Sequence, residues 1–351
     1  MGSKGVSACA SVLSAQASTL QKLSLCNNGL SDTSMKEVAE ILCRSNECND
    51  HPTIAHGLTK IHFYNNMSGD GGCTAFAEIL SNSSRLEDVR FSGTRAGRPG
   101  SFRVAEAMDA LGPMGVGNVT RWDLADNTFG VDGGATLAKV LARCPKLVYL
   151  NLRDCTLEDE GTISICKALV ESGCPLQHLD LSGNEITAKG AKSVASILEK
   201  FSSTLTVLFM EENEITSRGV AAIAKAISAC DVSALQEVKL GMNECGNIGG
   251  KAIATAAPKM SSLKKIELDA NMFSEEVVVL LQNAYGTFLE EMEDNDDEED
   301  PDEDLEEEDE KDEEDEKDED KTPWYARCFE KAPKSENDID QLASALGESK
   351  I

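Results

Sequence analysis

Long apolar segments and familiar catalytic signatures are both missing from this chain of 351 residues. No run of eighteen apolar residues occurs, and the first residues lack a basic stretch followed by an apolar one. We therefore expect neither a membrane span nor a secretion signal. The nucleotide-binding pattern G-x-x-x-x-G-K-[ST], the zinc-protease pattern H-E-x-x-H and the hydrolase pattern G-x-S-x-G are absent. We expect no self-contained active site.

The twelve cysteines do not form a spaced framework. Several, such as Cys73, Cys166 and Cys230, stand at apolar positions, which is typical of reduced thiols in an intracellular protein. One stretch gathers residue types that can bind zinc, in the order C-x4-C-x2-H-x4-H, namely Cys43, Cys48, His51 and His56. This spacing is not that of a standard zinc finger, so we expect no metal site.

A repeat dominates what is present. Nine copies of the pattern L-x-x-L-x-L-x-x-N occur, most clearly at Leu176, Leu179, Leu181 and Asn184, and two of them have Thr94 and Cys155 in place of the asparagine. Its ninth positions are residues 28, 66, 94, 127, 155, 184, 213, 243 and 271, so six of the eight intervals are 28–30 residues long. That period lies at the long end of the leucine-rich-repeat range. The sequence predicts an α/β leucine-rich-repeat solenoid, a horseshoe of about nine strand–helix repeats over residues 1–288.

Within a repeat, the alternating L-x-L portion predicts a short strand, and the asparagine can satisfy backbone groups where the strand turns. A glycine-marked turn and an apolar helix follow. The 38-residue interval predicts an insertion at 44–56, and the 33-residue interval predicts a glycine-rich extension at 112–118. Such departures often map to loops on one face. Residues 6–15 resemble the helix of a repeat whose strand is missing.

Negative charge is concentrated near the C-terminal end. Residues 290–320 contain 25 acidic residues and two lysines, a net charge of −23 out of −29 for the chain. We expect 289–321 to be a disordered acidic tail, because such a run cannot bury apolar surface. It would repel nucleic acid and attract a basic protein surface, unless it only solvates the chain. Residues 322–351 form a short segment that is either an amphipathic helix, with Ile339, Leu342, Ala345 and Leu346 at helical spacing, or an untethered terminus.

The concave strand face is the predicted interaction surface, because charged and aromatic side chains in a row suit recognition of another protein. It presents Arg90, Arg121, Asp123, Asp126, Tyr149, Asn151, Arg153, Asp154, Asp180, Glu211 and Glu212. After the third strand, residues 91–99 place Arg95 and Arg98 on a loop at the rim of this face. Arginine offers a planar fork of donors suited to phosphate and carboxylate groups.

Four features together resemble the Ran GTPase-activating protein family. Phe91-Ser92 precedes the arginine loop, as an F-S strand precedes an important arginine there. Residues 124–130 read L-A-D-N-T-F-G, similar to the family's L-x-D-N-x-F-G, and residues 271–276 read N-M-F-S-E-E, close to its N-x-F-S-E-E ending. An acidic run then follows. The resemblance covers essentially residues 1–320.

The resemblance implies a protein that accelerates GTP hydrolysis on the small GTPase Ran in nucleocytoplasmic transport, by positioning the catalytic glutamine of Ran. The catalytic candidates are Arg95, with Arg98 as the alternative, and Asn127, which is equally interpretable as a purely structural ladder residue. The chain would need no cofactor of its own, since Ran in its GTP form would carry GTP and Mg²⁺. Cytoplasmic or perinuclear localisation without membrane insertion is expected.

One departure from the family concerns Asp154, where some members carry an asparagine that contributes to activation. A carboxylate cannot donate the hydrogen bonds of an amide. The chain also lacks the W-P-P motif of the plant-type targeting domain. The alternative function is a leucine-rich-repeat scaffold or inhibitor, similar to ribonuclease inhibitor, that binds a basic partner without activating a GTPase.

Overall fold

The structure, a computed structural model, describes residues 2–16, 19–45 and 53–295. The chain divides into two compact units, one ending at Asn184 and the other beginning at Glu185. Both are built from the predicted alternation of strand and helix. In every one of the nine sequence copies, a strand of three residues is centred on the first apolar residue of the L-x-L portion.

The first unit contains six strands and eight helices among its described residues. The helices are α1 Ser3–Ala15, α2 Asp32–Cys43, α3 Ile54–Gly57, α4 Gly69–Ser81, α5 Arg98–Ala110, α6 Gly112–Val116, α7 Gly130–Leu141 and α8 Glu158–Ser172. The strands are β1 Lys22–Ser24, β2 Lys60–His62, β3 Asp88–Arg90, β4 Arg121–Asp123, β5 Tyr149–Asn151 and β6 His178–Asp180. Each strand pairs in parallel with the next in chain order. This is the sheet of a leucine-rich repeat.

The second unit continues the pattern with the strands β7 Val207–Phe209, β8 Glu237–Lys239 and β9 Lys265–Glu267, which also pair in parallel. Its helices are α9 Ala188–Lys200, α10 Thr216–Ala229, α11 Asn247–Ala256 and α12 Glu275–Tyr285. Two 3₁₀ turns, Ala257–Lys259 and Gly286–Phe288, follow α11 and α12.

The core lies between strands and helices, because the middle residue of each strand points inward. Ile61, Val89 and Trp122 are 0% exposed, while the residues on either side of Ile61 and Trp122 are partly exposed. Glycines let neighbouring helices approach closely. A Cβ at Gly134 in α7 would lie 2.9 Å from the Cα of Gly161 in α8. The glycines of the helix-opening turns therefore serve packing.

Buried asparagines connect successive repeats, as the ninth position of the pattern predicts. The Asn184 amide donates to the carbonyls of Leu152, Leu181 and Ser182 at 2.8–3.0 Å. Its Oδ1 accepts from the backbone N–H groups of Cys155 and Leu157. One side chain thus binds five backbone groups, of which the Ser182 carbonyl also accepts from the Asp154 N–H at 2.9 Å.

The residue before each ladder position adopts a left-handed backbone. These residues have φ between 51° and 65°, and they are Asn27, Asn65, Gly93, Asp126, Asp154, Gly183, Glu212, Met242 and Ala270. Asparagine, aspartate and glycine tolerate this region best, so their frequency here has a local cause. The turn also lifts the side chain of the eighth position away from the core.

The structure differs in part from the predictions made for the two irregular intervals between repeats. The glycine-rich stretch at 112–118 is not a loop, since it forms the short helix α6. Of the insertion at 44–56, the structure describes only residues 44–45 and 53–56. Residues 289–295, which the prediction assigns to the tail, lie beside β9, where the Glu290 N–H donates to the Ile266 carbonyl at 2.9 Å. Residues 296–351 lie outside the described residues.

Neither a metal cluster nor a membrane-length apolar helix occurs within the described parts of the chain. Of the four residues with zinc-binding side chains, Cys48 and His51 lie outside the described residues. Cys43 donates its thiol to the Glu78 carbonyl, and burial raises its pKa to about 12. The His56 ring contacts the Ser84 hydroxyl at 3.1 Å.

Candidate functional site

The turn between β3 and α5 presents Arg95 on a fixed backbone. The Thr94 carbonyl accepts from the Gly69 N–H at 2.9 Å, and the Ala96 carbonyl accepts from the Thr128 hydroxyl at 3.2 Å. The Gly97 N–H donates to the Asp70 carboxylate at 2.8 Å. The backbone is therefore held on both sides of Arg95.

The Arg95 side chain is exposed, and the backbone of this residue is left-handed, with φ 58°. A positive φ at a bulky non-glycine residue is uncommon and costs about 1 kcal/mol or more. Within 2–16, 19–45 and 53–295, the guanidinium forms no hydrogen bond and no ion pair. Its five N–H donors thus remain available to a partner.

Arg98 differs from Arg95 in two ways, and the prediction that both lie on a loop is wrong for it. Arg98 is the first residue of α5, which carries Pro99 in its first turn. Its Nη2 lies 3.1 Å from the Asp132 carboxylate at the start of α7. Because both side chains of this pair are more than half exposed, the ion pair is weak. It nevertheless gives Arg98 an intramolecular partner.

Asn127 occupies the ladder position of the fourth repeat and is only 2% exposed. Its amide donates to the carbonyls of Phe91, Leu124 and Ala125, at 2.7, 2.9 and 3.2 Å. Its Oδ1 accepts from the Thr94 hydroxyl at 2.8 Å. The structure therefore favours the ladder interpretation of Asn127 and provides no route by which its side chain contacts a partner.

The strand face of the first unit consists of the residues that flank the buried middle residue of β2 to β6. These are Lys60 and His62, Asp88 and Arg90, Arg121 and Asp123, Tyr149 and Asn151, and His178 and Asp180. The parallel register places each pair beside the next. Five of the predicted partner-binding residues belong to this row, and so does Arg90.

Asp88 is the centre of a charged cluster at one side of the strand face. His62 Nε2 and Arg90 Nε lie 3.1 and 3.2 Å from its carboxylate, and Lys60 lies 3.9 Å away. Burial alone would raise the pKa of Asp88, but the hydrogen bonds and charges of Arg90 and His62 outweigh it and lower this pKa. Burial lowers the pKa of His62, against the attraction of Asp88.

A stack of three planar groups fills the middle of the strand face. The Arg121 guanidinium carbon lies 3.3 Å from the centre of the Tyr149 ring, and the His178 ring lies 4.1 Å beyond it at an angle of 11°. Arg121 also contacts the Asp123 carboxylate at 3.4 Å. Burial, together with the positive charge of Arg121, lowers the pKa of His178 to about 4. His178 is therefore neutral at physiological pH.

Carboxylates gather where β4, β5 and β6 turn. Asp126 and Asp154 both stand at the left-handed eighth position, and burial followed by the charge of Asp154 raises the pKa of Asp126. Arg153 Nε lies 3.2 Å from the Asp154 carboxylate. Asp180 accepts from the Ser182 N–H at 3.1 Å, yet burial raises its pKa. Such an acidic surface can accept hydrogen bonds and favours cations.

The Asn151 side chain is turned towards its own chain, since its Oδ1 accepts from the Arg153 N–H at 3.0 Å. The turn after β5 therefore has a defined conformation. Asp154 differs from the asparagine of the resembled family in having no amide donor. It can hold a cationic partner group or Arg153, but it cannot donate to a carbonyl.

Glu211 and Glu212 belong to the second unit. Glu211 forms an ion pair with Lys239 at 3.1 Å, and Lys239 also lies 3.0 Å from Glu267. Burial and the proximity of Glu267 raise the pKa of Glu211, against the attraction of Lys239. Glu212 is exposed at the left-handed eighth position.

Four members of these clusters escaped the sequence analysis, although a signal for them exists. His62, Asp88, His178 and Lys239 all stand next to the buried middle residue of a strand. The signal is the position on either side of the first apolar residue of each L-x-L portion, which is where all four residues stand.

Comparisons with known proteins agree with the fold. A leucine-rich-repeat family model matches residues 118–138, 143–166, 174–195 and 201–224. RAN GTPase-activating protein 2 from Arabidopsis thaliana is 34% identical over 151 residues, which are 42% of this chain and 26% of that protein. The match therefore spans about a quarter of the length of that relative.

Among solved structures, the actin-binding site 2 of leiomodin-1 is 20% identical, with a TM-score of 0.36, over 44% of this chain and 86% of that chain. Likeness at this level carries no argument about function. The family resemblance seen in the motifs, in contrast, agrees with the curated relative. The chain thus has a leucine-rich-repeat fold, and its motifs are similar to those of the Ran GTPase-activating proteins.

Proposed function

We propose that this chain stimulates GTP hydrolysis by the small GTPase Ran. The observation that carries the proposal is Arg95, an exposed arginine without an intramolecular partner among the described residues, on a turn whose backbone is held at Thr94, Ala96 and Gly97. Because the backbone is already held, only the side chain of Arg95 has to be ordered when it binds a partner. Similarity to a named activator of RAN adds support.

The proposed mechanism is assistance in trans. Arg95 would donate hydrogen bonds to the surface of Ran near its nucleotide and hold the catalytic glutamine of Ran in its productive orientation. Ran would bind GTP and Mg²⁺, and this chain would contribute no cofactor. Fixing one orientation of a catalytic group reduces the entropic part of the barrier, which is the usual gain from positioning. Arg95 is thus proposed as the residue that contacts the reacting partner.

The strand face would supply the docking surface. Its ends differ in charge, with Lys60 and His62 at one end and the buried Asp180 at the other. Asp126 and Asp154 present carboxylates at the turns and would accept from basic side chains of Ran. We propose that the acidic run after residue 295 increases the rate of encounter with a basic partner. By this function the chain acts in nucleocytoplasmic transport, at a cytoplasmic or perinuclear location.

The test is single-turnover hydrolysis of GTP-loaded Ran with and without the full chain. We expect acceleration that falls by about 100-fold or more in Arg95→Ala, the range typical of losing one group that acts in the transition state. Binding of GTP-loaded Ran should change much less. Arg98→Ala is the matched control, because it removes an exposed arginine three residues away that has an ion-pair partner.

Two outcomes would contradict the proposal. Equal losses in Arg95→Ala and Arg98→Ala would show that Arg95 has no special role. Absence of acceleration by the unchanged chain would refute the activity itself.

A binding scaffold is the second candidate, favoured by the carboxylates at the turns after β4, β5 and β6. On that function the chain would bind a basic partner through Asp126, Asp154 and Asp180 without changing hydrolysis. Binding of Ran that is insensitive to the bound nucleotide, together with unchanged hydrolysis, would support it.

A further inference from the structure

The last helix of the described chain has two faces that a neighbouring repeat could contact, and only one of them is covered within the described residues. Val277, Leu281 and Tyr285 of α12 point inward and are at most 3% exposed. A second stripe at positions i, i+3, i+4 and i+7 consists of Glu275, Val278, Val279 and Gln282. Its Val279 is 53% exposed. Together with Phe273, Met292 and Asn295, this stripe lines a cavity of about 330 Å³.

Residues 289–295 form the strand side of a tenth repeat beside this cavity. Leu289 forms a parallel bridge to Ile266 in β9. The Asn295 Oδ1 accepts from the Phe273 N–H at 3.0 Å, and its amide donates to the Phe273 carbonyl at 2.7 Å. Asn271 makes the equivalent contact one repeat earlier, where its Oδ1 accepts from the Cys245 N–H at 3.2 Å. Asn295 therefore extends the asparagine ladder.

A helix would follow this strand in an ordinary repeat. In the second unit, α10 packs on α9, α11 on α10 and α12 on α11. The described chain stops at Asn295, so the next helix position, which is the second stripe of α12, is uncovered within it. Solenoids need a cap over the apolar surface of the terminal repeat. The stripe around Val279 is the surface that such a cap would bury.

We propose that residues 338–349 of this same chain dock on the second stripe of α12 and cap the last repeat. Their sequence has apolar residues at helical spacing, Ile339, Leu342, Ala345 and Leu346. These apolar side chains would contact Val278, Val279 and Met292, which line the groove together with Phe273 and the polar residues Glu275, Gln282 and Asn295. The basic residues Lys331 and Lys334 precede this stretch, and Glu275 and Glu276 begin α12.

The intervening chain is long enough for this docking. Residues 296–337 are a stretch of 42 residues that joins Asn295 to residue 338. Fully extended it would reach more than about 130 Å. The groove begins at Asn295, where the linker starts. The segment therefore has a high effective concentration at the groove, and its docking does not depend on the protein concentration.

Amide hydrogen exchange of the full chain tests the proposal. We expect Leu342→Glu to increase exchange in α12 by about tenfold or more, because a buried glutamate would disfavour the docked state. Gln341→Glu, which adds the same charge at a position outside the apolar stripe, should change it less than about twofold. Val279→Glu should have the effect of Leu342→Glu, and Val232→Glu, at a valine that is 62% exposed elsewhere, should not.

Three results would overturn the proposal. Exchange in α12 could be unaffected by Leu342→Glu, which would show that the segment does not cover it. It could rise equally in α10, which would indicate general destabilisation. Protection of α12 could depend on protein concentration, which would identify a second copy of the chain as the occupant. The docking does not rest on the proposed activity.

Discussion

Replacement of Asn127 by alanine separates the two roles that the sequence leaves open for this residue. In the structure, its buried side chain joins the third and fourth repeats and does not reach the surface. We expect Asn127→Ala to lower stability strongly and to leave stimulation of Ran unchanged in the molecules that remain folded.

The magnitude follows from the groups that lose a partner. Three backbone carbonyls lose the amide donor, and the Thr94 hydroxyl, which is 0% exposed, loses its acceptor. A buried polar group without a partner costs about 1–3 kcal/mol. Since the carbonyls can find weaker replacements, we expect a decrease in the free energy of unfolding of about 3 kcal/mol.

Urea unfolding gives the measurement. Trp122 is fully buried in the strand of the same repeat, and the chain has two tryptophans. In a Trp324→Phe background, fluorescence therefore reports on this repeat alone. Asn118→Ala is the matched control, because Asn118 is exposed and its Oδ1 accepts only from Lys146. It should cost less than about 0.5 kcal/mol.

The reasoning would be refuted by the reverse pattern. If Asn127→Ala changed the unfolding free energy by less than Asn118→Ala does and abolished acceleration of GTP hydrolysis, the side chain would act on the partner. The ladder interpretation, and with it the division between Arg95 and Asn127, would then be wrong.

Two further predictions concern charge. The pKa of His178 is about 4 in the folded chain against 6.5 ordinarily, so its contribution to stability is present above pH 6.5 and is lost as the pH falls towards 4. His178→Gln should flatten the pH dependence of the unfolding midpoint in that window, and an unchanged slope would contradict this assignment. Deleting residues 296–320, which leaves Asn295 in place, should slow association with a basic partner and weaken its salt dependence without abolishing activity. Stopped-flow association at low and high salt measures this, and unchanged rates at low salt would exclude steering.

Much of the fold was predictable because residues close together in each repeat determine its local structure. The L-x-L alternation and the asparagine specify strand and turn within nine residues, and all nine copies form strands. The start of α5 was also predictable, because Pro99 stands in the first turn of the helix, a position that proline favours. The same signal predicts that Arg98 belongs to the helix and not to the loop.

The site was less predictable because its chemistry depends on contacts between repeats. The stack of Tyr149 on His178 joins residues 29 positions apart and requires the strand register as well as the sequence. The freedom of Arg95 and the partner of Arg98 depend on which carboxylates the helices bring near them. A pattern in one repeat contains no information about such neighbours.

The parallel register of β2 to β6 also spaces the side chains of the strand face at regular intervals. Neighbouring strands are about 4.8 Å apart, so the face offers one pair of side chains per step of that length. Each step carries a different pair, from Lys60 and His62 to His178 and Asp180. A partner displaced by one step would bring its groups to side chains of the wrong charge or shape. Sliding along the face is therefore penalised at every step, and alignment of a partner is decided by the whole row.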